Sequence, residues 1–149
     1  MTESLGADAG AGLKALGINC TLKKSPETSN TEALMNRVLG ILSEHGVETE
    51  ILRPVDYNVR FGVTSDEGDG DEWPQILEKI KAADILLMGM SIWFGVRSSV
   101  CQMVIERLDG TYNERNEVGQ YPLYNKVAGW SSPATRTGRT HRRRPRSST

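Results

Sequence analysis

Two short stretches of this chain carry residue types that could do chemistry. The first is "KKSPETSNT", Lys23 to Thr31, with Thr21 just ahead of it. It joins two lysines to the hydroxyls of Ser25, Thr28, Ser29 and Thr31 and the side-chain amide of Asn30. Hydroxyls donate to anionic oxygens, and the first amides of a helix have no partner inside it. Such a loop at a helix start therefore suits a phosphate. The same residues would also serve a plain capped connection, because helix starts draw on Ser, Thr and Asn everywhere. The second stretch is "MSIWFGV", Met90 to Val96. Trp93 and Phe94 are adjacent aromatics in a short loop. Both could face a planar ligand, or one could plug a crevice. Gly95 would let backbone approach a flat ring. One stretch offers phosphate donors, the other a flat apolar wall around Ile92, Trp93, Phe94 and Gly95.

Counts and spacings argue against other chemistries. There are two histidines, His45 and His141, and no credible Ser-His-Asp set. His45 reads as a partner for a helix C-terminus. The glycine-rich signature of a P-loop is missing, as is the dinucleotide fingerprint. The acids of "DEGDGDE", residues 66–72, lack the spacing of a calcium loop and read as a solvated, self-repelling segment. Cys20 and Cys101 lie in apolar contexts without metal-ligand spacing and read as core thiols of an intracellular protein. No metal site is expected.

The elements that must position the two loops can be read from periodicity. "LKALGINCTL", residues 13–22, reads as a buried strand. Ser29 and Glu32 have capping-box spacing, and Leu34, Val38, Leu39, Ile41 and Leu42 follow at helical spacing up to a stop at Gly46. Val47 to Leu52 alternates as a half-exposed strand, and Pro54 ends it. Residues 53–72 form a polar loop long enough to be functional or mobile. "WPQILEKIKAA" is a helix with Pro74 in its first turn. Ile85 to Met90 is a continuous apolar run, as expected of a strand covered on both faces. A helix follows over Ser99–Asp109, with Ser99 and Gln102 as a second capping-box pair. Lys126 could open a fourth strand. The alternation predicts an α/β fold with an open parallel sheet, where ligands sit beyond the carboxyl ends of the strands.

The 149 residues fit one domain. Residues 1–12 read as a disordered leader, 13–129 as the folded part, and 130–149 as a disordered Arg-rich tail. Residues 1–129 carry 12 basic and 19 acidic residues, a net of −7, whereas 130–149 carry six arginines and no acid. Those arginines could touch nucleic-acid phosphates, but no aromatic platform or helix accompanies them, which argues against that partner. The N-terminus lacks a basic region followed by an apolar run, and no apolar run reaches the roughly 18 residues of a membrane span. A cytoplasmic protein without a membrane partner is expected.

From about Lys14 to Gly129 the chain resembles the flavodoxin-like NAD(P)H-dependent FMN reductases. The resemblance rests on "KKSPETSNTEALM", similar to the family's phosphate loop, and on "MSIWFGVRSSVCQMVIERLDG", similar to its ring-lining loop and following helix. Many members have Pro where Ser91 stands and Tyr where Trp93 stands. The departure keeps a flat ring but removes a rigid turn and a phenol. The resemblance implies a flavodoxin-like sheet with helices on both faces, FMN as cofactor, and NAD(P)H as co-substrate. It implies hydride transfer to the flavin, then electron release to a flavin or other small-molecule acceptor. It assigns Ser25, Ser29, Asn30 and Thr31 to the FMN phosphate and Ile92, Trp93, Phe94 and Gly95 to the ring, with no catalytic side chain. A carrier or protein-binding module without catalysis, or an inactive fragment, stays open beside the enzyme. The family pattern continues with a third flavin loop, a helix and a fifth strand. Residues 130–149 do not resemble them, which suggests truncation or a shifted reading frame after Gly129. On this reading the strands order 2-1-3, the fourth is at most partly built, and the exposed edge of the third drives homo-oligomerisation.

Overall fold

The computed structural model describes residues 9–133. Residues 1–8 and 134–149, expected to be disordered, lie outside the described residues. Four parallel strands form the main sheet: β1 (Lys14–Asn19), β2 (Glu48–Leu52), β3 (Ile85–Gly89) and, after a small hairpin of β4 (Ile92–Trp93) and β5 (Val96–Arg97), β6 (Val127–Ser131). Their order is β2-β1-β3-β6. Among the described residues, three α-helices accompany them: α1 (Asn30–Glu44), α2 (Trp73–Ala82) and α3 (Ser99–Asp109).

Side chains along a strand point to alternate faces, and the core divides accordingly. Leu16 and Ile18 of β1 and Leu86 and Met88 of β3 join the larger cluster with Trp73, Ile76 and Ile80 of α2 and Val100 and Val104 of α3. Ala15 and Leu87 turn the other way and pack with Met35 and Leu39 of α1. The apolar run at Ile85 is thus a strand covered on both faces, as expected. Two glycines let α1 lie close to the sheet. A Cβ on Gly17 would come to 3.0 Å from Met35 Cε, and one on Gly89 would overlap Met35 Sδ. This close seat brings the start of α1 over the carboxyl ends of β1 and β3.

The fourth strand is fuller than the sequence suggests. β6 pairs in parallel with all of β3, from Ile85↔Val127 to Gly89↔Ser131. It includes Trp130 and Ser131, beyond the expected boundary at Gly129. Lys126 anchors its start by donating to the carbonyls of Lys81 at 2.7 Å and Ala83 at 2.6 Å, at the end of α2. The expected bare edge on β3 is therefore corrected: among the described residues the outer strand is β6, where Val127 and Trp130 are exposed.

The acidic loop is also different from the expectation. Asp71 and Arg107 form a fully buried ion pair at 2.7 Å. Arg107 also donates to the carbonyls of Arg60 at 2.8 Å and Thr64 at 3.0 Å. Burial pushes the Asp71 carboxyl up, but Arg107 and the amides of Glu67, Arg60 and Trp73 outweigh it and hold the group well below the usual carboxylate range. At least this acid is an internal fastener, not part of a solvated face.

Candidate functional site

The first loop and the second leave β1 and β3 at the same end of the sheet, and they converge on one cavity of about 330 Å³. Cys20, Thr21, Leu22 and Lys23 line it from just after β1, Ser29, Asn30 and Thr31 from the cap and first turn of α1, Ser91, Trp93 and Ser98 from the β3–α3 connection, and Pro133 from beyond β6. Thr31 Oγ1 and Ser91 Oγ lie 3.4 Å apart and tie the two loops together.

At the α1 end the donors are prepared for an anion. Ser29 is the N-cap, and its Oγ accepts the Glu32 amide at 3.2 Å. Asn19 Nδ2 donates to the same oxygen at 3.3 Å. With both acceptor directions taken, the Ser29 hydroxyl proton is left to donate. The amides of Asn30 and Thr31 fall in the first turn, where a helix has no internal partner for them. Lys23 is the one cation among the described lining residues, and no carboxylate lines the cavity. Glu32 does not reach back to the cap as the capping-box spacing suggests; it accepts from Asn19 at 3.0 Å and from Arg53.

Ser25 stands apart from this group. Its amide donates to Asp56 Oδ1 at 2.9 Å and its hydroxyl to Asp56 Oδ2 at 2.5 Å. These bonds hold the Asp56 carboxylate below its usual range. Ser25 faces a separate, acid-lined depression with Glu32, Arg53 and Asp56, so the structure does not bring it to the other three phosphate candidates.

The ring candidates also divide. Trp93 lines the main cavity. Ile92 and Gly95 line a neighbouring opening with Met90, Val96, Arg97 and Trp130. Phe94 is 91% exposed. It occupies the hairpin turn with φ 50°, followed by Gly95 at φ 80°. A two-residue turn with both φ values positive matches the twist of the paired strands. A left-handed conformation costs a bulky residue such as Phe94 roughly 1–2 kcal/mol. The two aromatics therefore do not line one cavity together.

Sequence reasoning missed several lining groups. Ser98, not Ser99, caps α3: its Oγ accepts the Cys101 amide at 3.3 Å and donates to the Cys20 carbonyl at 3.0 Å. Two adjacent serines make that register ambiguous by type alone. Cys20 forms part of the wall; its Sγ donates to the Ile18 carbonyl at 3.8 Å, and the neighbouring Cys101 thiol and burial push its own thiol up. Among the described residues, no cluster of His, Cys, Asp and Glu could hold a metal ion.

The sequence profile of the NADPH-dependent FMN reductases matches residues 13–144. The chain belongs to that family. Its sheet is the flavodoxin-like α/β fold. It is 37% identical to the solved structure of RosB with bound 8-demethyl-8-formylriboflavin-5'-phosphate, with a TM-score of 0.71 over 79% of this chain and 50% of that one. It is 36% identical over 126 residues to the 8-demethyl-8-aminoriboflavin-5'-phosphate synthase of Streptomyces davaonensis, covering 78% of this chain and 49% of the relative. It is also 44% identical over 122 residues to a segment of the protein named divalent metal cation transporter MntH of Mycobacterium bovis, covering 79% of this chain and 18% of the relative. The chain thus spans about half, or less, of the length of these relatives. No helix among the described residues is long and apolar enough to cross a membrane.

Proposed function

We propose that this protein is a flavin-dependent oxidoreductase that holds FMN in the cavity between its two loops, takes electrons from NAD(P)H and passes them to a flavin or another small molecule. The observation that carries this reading is the meeting of helix-start donors and an indole wall on one cavity. The Ser29 hydroxyl, the Asn30 and Thr31 amides and Lys23 suit a phosphate. Leu22 and Trp93, 63% and 49% exposed, offer apolar surface that a flat ring would cover, at about 25 cal/mol per Å² removed from water. The relative with a riboflavin-5'-phosphate derivative bound supports a phosphorylated flavin here.

When bound, the flavin supplies the redox chemistry. The residues of this chain bind its phosphate, orient it and exclude water from one face; none has to act as acid or base. We place the protein in the cytoplasm on its two buried free thiols, Cys20 and Cys101. We propose self-association through the outer edge of β6.

Purified protein should take up FMN, show a flavin absorbance band and oxidise NADPH or NADH when FMN is supplied. FMN uptake without nicotinamide oxidation would fit an electron-carrying module instead. Failure to take up any flavin would reject both.

A further inference from the structure

Arg53 follows directly after β2 and is only 7% exposed. A guanidinium is costly to bury unless its charge is paired and its N–H groups are satisfied. Here the first loop and Glu32 of α1 meet both conditions. Nη1 donates to the carbonyls of Lys23 at 3.0 Å, Lys24 at 3.1 Å and Glu27 at 2.8 Å. Nε donates to Glu32 Oε2 at 2.8 Å, and Nη2 pairs with the same oxygen at 2.6 Å. That oxygen also accepts from Asn19 Nδ2, the group that fills an acceptor direction of Ser29 Oγ.

We infer that Arg53 is a positioning residue for the phosphate end of the cavity, setting the direction of the loop's peptide groups and, through Glu32 and Asn19, of the Ser29 hydroxyl. This rests on the reading of that end as a phosphate site. The peptide bonds after Lys23, Lys24 and Glu27 are trans. In a planar trans peptide the N–H points opposite to the C=O. Drawing three carbonyls onto one guanidinium therefore turns the amides of Lys24, Ser25 and Thr28 away from it, the Ser25 amide going to Asp56 Oδ1 at 2.9 Å. It also withdraws three partial negative charges that would otherwise be free to turn toward an anion.

The role is one of geometry, not of charge. Glu32 neutralises Arg53, so the pair adds no net attraction for a phosphate. A lysine would keep the positive charge but has no planar fork to bridge three carbonyls and a carboxylate.

The test uses the full chain with Arg53→Lys and Arg53→Met, titrated separately with FMN and with riboflavin, which lacks the phosphate. Thermal melts of the same samples follow the fold. Both variants should keep a cooperative melt, weaken FMN about tenfold or more, and change riboflavin affinity by less than about twofold. A parallel loss of FMN and riboflavin would overturn the inference, as would full FMN affinity in Arg53→Lys. Loss of the cooperative melt in both variants would assign Arg53 to the fold as a whole and overturn it too. If the unsubstituted protein binds FMN no better than riboflavin, the phosphate reading itself fails, and that result is visible before any substitution is made.

Discussion

Loops 23–31 and 57–72 are built around the same device, a buried arginine that gathers backbone carbonyls, yet they end in opposite states. Arg107 takes the carbonyls of Arg60 and Thr64 and both oxygens of Asp71. Asp71 in turn accepts the amides of Arg60, Glu67 and Trp73. Donors and acceptors there are used up against each other, and none of these residues lines the main cavity. Arg53 takes only carbonyls of its loop, and its carboxylate partner, Glu32, sits on α1. The helix-start amides and the Ser29 hydroxyl are left facing the cavity. On the proposed reading, the first loop can take an anion because these donors are not used up within it.

The largest effect should come from breaking the closed loop. Arg107→Met or Asp71→Ala leaves one buried charge without its partner and should cost about 3–5 kcal/mol of stability. Chemical denaturation would measure it. Because the Asp71 carboxyl is held below its usual range, its contribution is complete above about pH 4 and fades as pH falls through the folded value. Asp71→Asn should therefore flatten the loss of stability below about pH 4. An unchanged acid slope would contradict the role of Asp71 as the buried fastener of that loop.

In the open loop the effect should fall on the ligand instead. Ser29→Ala should weaken FMN by roughly 1.5–3 kcal/mol, the value of a hydrogen bond to a charged group, with riboflavin nearly unchanged. Thr31→Ala keeps the amide assigned to the phosphate and loses only the tie to Ser91, so its effect on FMN should be smaller. Ser29→Ala should also lose about 1 kcal/mol of folding stability as a cap. Equal losses for the two flavins in Ser29→Ala would remove that hydroxyl from the phosphate. Ser98→Ala, which removes the α3 cap, should cost about 1 kcal/mol in a thermal melt. The smallest effect belongs to Ser25→Ala. Ser25 is exposed and bonded to Asp56, so FMN affinity should stay within about twofold. A tenfold loss would return Ser25 to the phosphate group from which the structure separates it.

What could be read in the sequence was local or periodic. The Ser29 cap, the helix running to Gly46 and the doubly covered strand at Ile85 each depend on residues within a few positions of one another. The pairing of the two loops followed from strand–helix alternation, which puts both at one sheet edge. What stayed hidden was long-range. Arg53 lies 30 residues from the Lys23 carbonyl it holds, and Arg107 lies 36 from Asp71. Neither arginine carries a local mark of burial. The length of β6 was obscured because its last residues, Trp130 and Ser131, run into an arginine-rich segment whose composition reads as unstructured. Phe94 misled for a different reason. Its positive φ places it at a turn tip, a position its side chain does not favour.

The donors left over in the first loop are proposed to hold a phosphate. Calorimetric titration of the unsubstituted protein with FMN and with riboflavin, at one fixed low salt concentration, tests this most directly. Two or more charge-assisted hydrogen bonds should make FMN the tighter ligand by at least about a hundredfold. Equal affinity for the two flavins would contradict the claim, because a cavity that ignores the phosphate uses only its apolar wall.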